Sequence, residues 1–230
     1  MLNDAATPAR LLEAGRRIFA RDGLVGARTR DICALAQANV AAVNYHFGSK
    51  EHLYIQVLTE HVRRIRDRFP LDEGLTPGAP PEDRLRAFVR GLLQQLLADD
   101  NDEHAQLGKL ILLEMVQPSQ HVDVLIAELL RPVNEMLRTI VRDLMHGAPD
   151  AAVTRGAAGV VSQFTLFRYD PRVLDTLGPD FLPSEENLLA VAEDMVEFSL
   201  GGIERLRSKY ASCGKHRGLP AHPQAEAPHA

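Results

Sequence analysis

The stretch TRDICALAQANVAAVNYHFGSK, residues Thr29–Lys50, decides the fold. Its pattern predicts two short helices joined by a tight turn, with Thr29 as the N-cap of the first helix and Asn39 as the N-cap of the second. Two short helices cross closely only where their side chains are small, and Cys33 and Ala36 supply such side chains at the crossing. This arrangement is typical of a helix-turn-helix, a unit that enters the major groove of DNA.

The second short helix is predicted to have two different faces. Val43 and Phe47 lie four residues apart and form an inward stripe, which Val40 extends by one turn. On the opposite face, small side chains would let the helix backbone sit deep in a major groove, and polar side chains would bond phosphates or base edges. We therefore predict a DNA-binding surface of ten residues: Thr29, Arg30, Asn39, Val40, Ala41, Ala42, Asn44, Tyr45, His46 and Lys50.

The residues on both sides of this stretch complete a small helical domain. Apolar residues recur at helical spacing over residues 9–21, and Gly23 is predicted to end that helix. Ser49 is predicted to start a longer helix that runs to about Arg68. We therefore expect an N-terminal three-helix helix-turn-helix domain over residues 1–69.

The distribution of charge agrees with DNA binding at one end of the chain. The whole protein carries a formal net charge of −5 at pH 7. Residues 1–68 nevertheless hold 11 lysines and arginines against 7 aspartates and glutamates. A basic module joined to an acidic one suits a protein that contacts phosphates through one domain only.

Residues 9–65 resemble the N-terminal domain of the TetR family of regulators. The resemblance rests on residues at the family's spacings: Ala14, Phe19, Gly23, Thr29, Ile32, Cys33, Ala36, Val43, His46, Phe47, Lys50 and Leu53. Within the family, residues 38–54 (ANVAAVNYHFGSKEHLY) resemble the CecR-like subgroup, and residues 112–119 and 162–174 resemble its ligand-binding domain more loosely. The resemblance implies a homodimer that binds operator DNA and responds to a small molecule, with the last long helices pairing across the dimer.

Two residues depart from the family pattern. Gln37 stands where the family has a turn glycine, so a positive φ there would carry strain of about 1 kcal/mol. Asn44 stands where most members have tyrosine, and a phosphate contact usual in the family would be altered or moved to Tyr45.

The rest of the chain also has a helical pattern. Residues 70–81, with four prolines and two glycines, are predicted to be a linker. Amphipathic helices are expected at about 82–98, 104–116, 119–146, 150–169 and 185–209. We therefore predict an all-α protein, with a helical effector-binding and dimerisation domain over residues 82–210 and a disordered tail over 211–230. The small residues of 156–161 and 201–202 indicate close helix packing, either across a dimer interface or within the chain.

Seven residues of the second domain are candidates for an effector pocket: Leu93, Leu110, Leu113, Gln163, Phe164, Phe167 and Arg168. Gln163 or Arg168 would supply the polar group, and such a pocket would suit an apolar or anionic ligand. Leucine and aromatic residues at helical spacing are, however, also what an ordinary core requires.

Several other functions are disfavoured. The common sequence motifs of hydrolases, metalloproteases and nucleotide-binding enzymes are absent, so an enzymatic C-terminal domain is the weaker alternative, and Glu114, Asp123 and Glu128 are taken as solvated surface. No cofactor is expected, and the spacing of the nine histidines does not favour a metal site. Cys33 is interpreted as packing rather than as a redox sensor. We therefore predict a transcriptional repressor that binds a near-palindromic operator as a homodimer and is released by a small-molecule effector. An activator and a ligand-independent DNA-binding protein stay open as alternatives.

The expected location is the cytoplasm, with no membrane contact. No apolar run is long enough for a membrane span, and no secretory signal is visible at the N-terminus. The two cysteines lie at opposite ends of the chain, as in proteins of a reducing compartment.

Overall fold

The predicted all-α fold is confirmed by a computed structural model, which describes residues 6–98, 102–120, 122–168, 171–178, 181–184 and 186–214. Every regular element in these ranges is helical. The α-helices are α1 (Thr7–Gly26), α2 (Thr29–Leu35), α3 (Ala41–Phe47), α4 (Lys50–Arg68), α5 (Pro81–Leu97), α6 (Asp102–Val116), α7 (Val122–Leu125), α8 (Arg131–Leu144), α9 (Asp150–Thr165), α10 (Pro171–Leu174) and α11 (Leu188–Gly214). A π-helical turn (Ile126–Leu130) joins α7 to α8, and short 3₁₀ turns follow α9 and α10.

Helices α1 to α4 surround one hydrophobic core. Leu11 and Phe19 of α1 are fully buried against Leu53 and Leu58 of α4. Gly23 interrupts α1 with φ +66°, as predicted, so that the last turn of α1 leaves the helix axis. The Ser49 hydroxyl accepts a hydrogen bond from the backbone N–H of His52 at 3.1 Å, which confirms the predicted start of α4.

Helices α5, α8, α9 and α11 surround a second core. Phe88 of α5, Val141 of α8, Val153 of α9 and Val196 of α11 are all buried in it. Helices α5, α9 and α11 match predicted amphipathic segments to within a few residues because each carries one continuous apolar stripe, whereas α8 covers only the second half of the segment predicted over 119–146.

The boundary between the two hydrophobic cores does not coincide with the predicted linker over residues 70–81. Leu107 of α6, Leu125 of α7 and Leu129 of the π-helical turn are buried in the first core, together with α1 and α4. The turn-rich residues 70–80 therefore separate two stretches of chain, but the second stretch contributes α6 and α7 to the core beneath the helix-turn-helix. The sequence did not predict this exchange, because both cores require the same apolar residues.

Two expectations need correction. The segment predicted as one helix over 119–146 contains the π-helical turn. Pro132 has no N–H and cannot bond the carbonyl of Glu128 as an α-helix would require. The N–H of Arg131 bonds the carbonyl of Ile126, five residues earlier, which is the π-helical pattern. The disordered tail predicted from residue 211 is wrong for 211–214, which continue α11, and its remainder (215–230) lies outside the described residues.

Candidate nucleic-acid interface and effector cavity

Helices α2 and α3 form the predicted helix-turn-helix. Ile32, Cys33 and Ala36 on the α2 side and Val43 on α3 are buried at the crossing. Gln37 has φ +51° and is the only non-glycine residue with positive φ in the described part of the chain. The turn therefore keeps the left-handed geometry without glycine, at a cost of about 1 kcal/mol.

The outward face of α3 is open to solvent. The Tyr45 side chain is 79% exposed, its ring meets that of His46 edge to face at 4.8 Å, and Asn44 is also exposed. The prediction of Asn39 as the N-cap of α3 is one residue off: Val40 occupies that position, and Asn39 Oδ1, just before it, accepts a hydrogen bond from the N–H of Ala41 at 2.9 Å. This leaves a short, rigid helix presenting amide and phenol groups outward.

The other predicted DNA-binding residues differ in exposure. Arg30, Val40 and Ala41 are exposed, whereas Thr29, Ala42, His46 and Lys50 are half-buried. The prediction of Thr29 as the N-cap of α2 is wrong: Arg28 occupies that position, and no side chain caps the helix there.

Lys50 has a structural task that the sequence did not predict. Its Nζ donates hydrogen bonds to the carbonyl oxygens of Leu24, at 2.8 Å, and Ala27, at 3.0 Å. These bonds fasten the start of α4 to the end of α1, next to α2. On the other side of the motif, Arg10 Nε donates to the carbonyl of Ala36 at 3.0 Å. Two cations thus hold the frame in which α3 is presented.

Cys33 is buried, and burial raises the pKa of its thiol. The group therefore stays a neutral thiol near neutral pH, and since the thiolate is the reactive form, the geometry favours packing over redox sensing.

A cavity of about 600 Å³ lies between the two cores. One wall is built from α4, α6, α7 and the π-helical turn, and the other from α5, α8 and α9. Its lining residues are His61, Val62, Ile65, Arg66, Leu92, Gln95, Leu96, Gly108, Ile111, Met115, Leu125, Leu129, Leu130, Val133, Asn134, Ala158, Val161 and Ser162.

The seven residues predicted for an effector pocket do not line this cavity. Leu93 and Phe164 are buried in the second core, and Leu110 packs on the first. Leu113 is 48% exposed, Gln163 donates a hydrogen bond to the Ser199 hydroxyl at 2.8 Å, and Phe167 packs beside Phe181. The side chain of Arg168 lies outside the described residues.

The cavity and the predicted effector pocket share helices but not residues. Leu92, Ile111 and Ser162 line the cavity, each one residue away from a predicted position. One residue corresponds to a rotation of about 100° around an α-helix.

Arg66 is the main charged group at the cavity. Its Nη2 donates to the carbonyl of Leu129 at 3.1 Å, and its Nε is buried without a hydrogen-bond partner among the described residues. Burial lowers the pKa of the guanidinium from its usual value, although the group stays protonated at any physiological pH. Gln95, which also lines the cavity, is occupied by a hydrogen bond from its Nε2 to the carbonyl of Phe69 at 2.7 Å.

Glu114 is not the solvated surface group expected from the sequence. It is 5% exposed, and its Oε2 accepts a hydrogen bond from the N–H of Ser119 at 2.9 Å. Burial and the neighbouring carboxylate of Glu114 together raise the pKa of the Tyr54 phenol. The pair is a polar contact between α4 and α6, far from solvent.

One face of α9 and α11 carries exposed apolar and small residues. Phe198 is 75% exposed beside a groove between the two helices, and nothing lies within 4 Å of a Cβ placed on Gly159, Gly201 or Gly202. Gly156 differs, since a Cβ there would meet Val141 at 3.1 Å. Packing within the chain therefore explains Gly156 but not the other three glycines.

Among the described residues, no three His, Cys, Asp or Glu side chains come together as a metal ion would require. None of the helices in the described ranges is both long and apolar enough to span a membrane.

Two family models match the chain. Residues 11–57 match the model of bacterial regulatory proteins of the tetR family, and residues 81–203 match that of the C-terminal domain of the HTH-type transcriptional dual regulator CecR. The first match contains the helix-turn-helix, and the second contains α5, α6, α8 and α9 with most of the second core.

Three curated proteins are similar in sequence. They are the HTH-type transcriptional repressor NicS of Pseudomonas putida (41% identity over 83 residues), the HTH-type transcriptional repressor SCO4008 of Streptomyces coelicolor (32% over 109) and the HTH-type transcriptional dual regulator CecR of Shigella flexneri (27% over 143). The alignments cover 34%, 47% and 57% of this chain and 36%, 50% and 61% of those proteins, respectively. The chain therefore spans only about a third to three-fifths of the curated relatives it matches.

Solved structures show the same fold. A transcriptional regulator from Pseudomonas aeruginosa PAO1 superposes with a TM-score of 0.67 at 19% identity, covering 89% of this chain and 96% of that one. A TetR-family regulator from Mesorhizobium loti gives a TM-score of 0.58 at 19% identity, covering 87% and 98%.

Proposed function

Because the chain belongs to the TetR family of bacterial regulatory proteins and carries a CecR-type C-terminal domain, we propose that it represses transcription by binding a near-palindromic operator as a homodimer. We further propose that a small-molecule effector releases it from that operator. The family is one of transcriptional regulators, so the chain is a regulator rather than an enzyme. We propose that it acts in the bacterial cytoplasm, where the chromosome lies.

The observation that carries this proposal is the outward face of α3. Tyr45 is 79% exposed on a seven-residue helix whose other face, through Val43, is buried in the core. Tyr45 and Asn44 can contact phosphates or base edges, and the small Ala41 allows close approach to the groove. Lys50 and Arg10 contribute by holding the frame in which α3 is presented.

The homodimer is proposed from the exposed face of α9 and α11. A second copy placed on this face by a two-fold axis would cover Phe198 and pack against the open glycines of both helices. Two recognition helices would then lie about one helical turn, ~34 Å, apart along DNA, so the operator should contain two inverted half-sites.

The effector response is proposed from the position of the cavity. Its walls belong to the two different cores, so a ligand that fills it acts on the distance between α4 and the second core. A ligand can weaken DNA binding only by binding the released conformation more tightly. A tenfold loss of operator affinity requires about 1.4 kcal/mol of such differential binding.

The test is the binding of the purified protein to DNA from immediately upstream of its own gene, measured by fluorescence anisotropy and footprinting over a range of salt. We expect protection of an inverted repeat by one dimer, with an affinity that falls steeply as salt rises. Binding no tighter than to unrelated DNA of the same length, together with no enriched palindrome in a selection from genomic fragments, would refute the proposal.

A second function is favoured by one comparison. The matched C-terminal model and one relative carry the name of a dual regulator. Transcription in vitro from the bound promoter separates the two functions, because a repressor lowers the transcript yield and an activator raises it.

A further inference from the structure

The cavity between the two cores carries an inference about the chemistry of its ligand, and this inference rests on the proposed function. Most of the lining is apolar: Val62 and Ile65 on α4, Ile111 on α6 and Leu92 on α5 are examples. A cavity of about 600 Å³ is in the range that holds a drug-sized organic molecule. The body of the ligand is therefore apolar.

Arg66 gives the cavity a positive charge that no ion pair neutralises among the described residues. The negative charge that acts on its guanidinium is that of its chain neighbour Asp67, whose side chain is exposed to solvent. A partly buried cation that lacks an anion is costly, and a charge-assisted, bidentate carboxylate contact is the strongest partner that a guanidinium finds. The cavity thus offers an apolar volume with one anion-binding group.

The donor atoms of Arg66 define how an anion would bind. Nε and Nη2 form one edge of the planar guanidinium, and a carboxylate binds such an edge through two parallel hydrogen bonds. Nε is buried and has no acceptor, whereas Nη2 is engaged with the Leu129 carbonyl. A carboxylate on this edge would satisfy Nε and would compete with the Leu129 carbonyl for the N–H groups of Nη2.

The Leu129 carbonyl belongs to a segment that can respond. It lies in the π-helical turn Ile126–Leu130, which packs against α4, and π-helical turns are often sites of functional rearrangement. The Arg66–Leu129 bond and the exposed Arg63–Glu128 ion pair both join α4 to this turn. Loss of the first bond would loosen the far end of the helix whose start, Lys50, positions the helix-turn-helix.

We propose that the effector is an amphipathic organic anion, with an apolar body in the cavity and a carboxylate on the Nε–Nη2 edge of Arg66. The carboxylate competes with the Leu129 carbonyl for Nη2 and so weakens the contact between Arg66 and the π-helical turn. Arg66 therefore determines both the chemical class of the ligand and the contact with the Leu129 carbonyl that the ligand changes.

The experiment uses matched probes on the full-length dimer. Calorimetry compares decanoate with decanol and decylamine, and 2-naphthoate with 2-naphthol, on the wild type, Arg66→Met and Arg66→Lys. Arg63→Met is the control, since Arg63 is an exposed arginine of the same helix that also contacts the π-helical turn. Circular dichroism verifies that each variant is folded, and Arg66→Lys keeps the charge if Arg66→Met fails to fold.

We expect the carboxylates to bind the wild type and Arg63→Met at least tenfold more tightly than the matched alcohols and amine. Arg66→Met should lose this preference while still binding the alcohols, and Arg66→Lys should keep only part of it because an ammonium lacks the two-donor edge. Equal binding of alcohol and carboxylate, a preference that survives Arg66→Met, or no carboxylate binding to the folded wild type at millimolar concentration would each overturn the inference.

Operator release is measured separately on the same proteins. Carboxylates that bind through Arg66 but leave the operator complex intact would support the assigned site and contradict the proposed ligand response. Release by the neutral or cationic probes alone would support the ligand response and contradict the anion assignment.

Discussion

Replacing Lys50 with methionine tests whether this lysine is a structural anchor or a phosphate contact. The substitution removes two hydrogen bonds from Nζ, to the carbonyls of Leu24 at 2.8 Å and Ala27 at 3.0 Å, and leaves the second carbonyl in a buried residue. Hydrogen bonds from a charged donor are worth about 1.5–3 kcal/mol each. Lys50 is only half-buried, so solvent screening reduces the pair to about 2–3 kcal/mol.

This loss should appear as a decrease in the free energy of unfolding, measured by urea denaturation, and as a decrease in Tm of roughly 5–10 °C for a chain of this length. Operator affinity should fall as well, since α2 and α3 lose part of their frame. Lys109→Met is the matched control, because Lys109 is an exposed lysine on α6, and it should leave stability within about 0.5 kcal/mol of the wild type. A Lys50→Met protein of unchanged stability that binds DNA poorly would refute the anchoring role and favour the phosphate contact suggested by the sequence.

Three further predictions concern the turn, the buried thiol and the dimer face. Gln37→Gly should raise the free energy of unfolding by about 1 kcal/mol in a denaturant titration, because φ at this position is +51°, and a decrease would contradict the strain. In a Cys213→Ser protein, Cys33 is the one remaining thiol, and the native protein should react with a thiol reagent at least about 100-fold more slowly than the unfolded protein. The reason is that burial shields the Cys33 thiol and raises its pKa. Equal rates would show that Cys33 is accessible. Phe198→Glu should convert the proposed dimer to a monomer in analytical ultracentrifugation, whereas Leu177→Glu, at another exposed apolar residue, should not. A Phe198→Glu protein that stays dimeric would place the interface elsewhere.

Local pattern was sufficient to predict most of the fold. The start and end of α4 and the start of α5 follow from a serine cap, an acidic first turn and proline, and each depends on neighbours in sequence. The inward and outward faces of α3 follow from helical periodicity in the same way. For Gln37 the sequence predicted strain if the turn required a positive φ, but it could not predict the positive φ itself, because a glutamine does not indicate that backbone conformation.

The contacts that join distant parts of the chain were not predictable from local pattern. Lys50 bonds carbonyls 23 and 26 residues away, and nothing in its neighbourhood distinguishes that task from a phosphate contact. Glu114 resembles any charged helix residue in the sequence, yet the fold buries it beside Tyr54. Of the seven residues predicted for the effector pocket, Leu93 and Phe164 are buried in the second core, because leucine and phenylalanine at helical spacing are also what a core takes.

The central claim is that the outward face of α3 reads operator DNA while its inward face only packs. The most direct measurement compares operator affinity and thermal stability for the wild type, Tyr45→Ala and the control Leu177→Ala, an exposed apolar residue of the other domain. We predict that Tyr45→Ala weakens operator binding at least about tenfold with Tm unchanged, and that Leu177→Ala changes neither quantity. Operator affinity unaffected by Tyr45→Ala, or lost only in proportion to stability, would contradict the account.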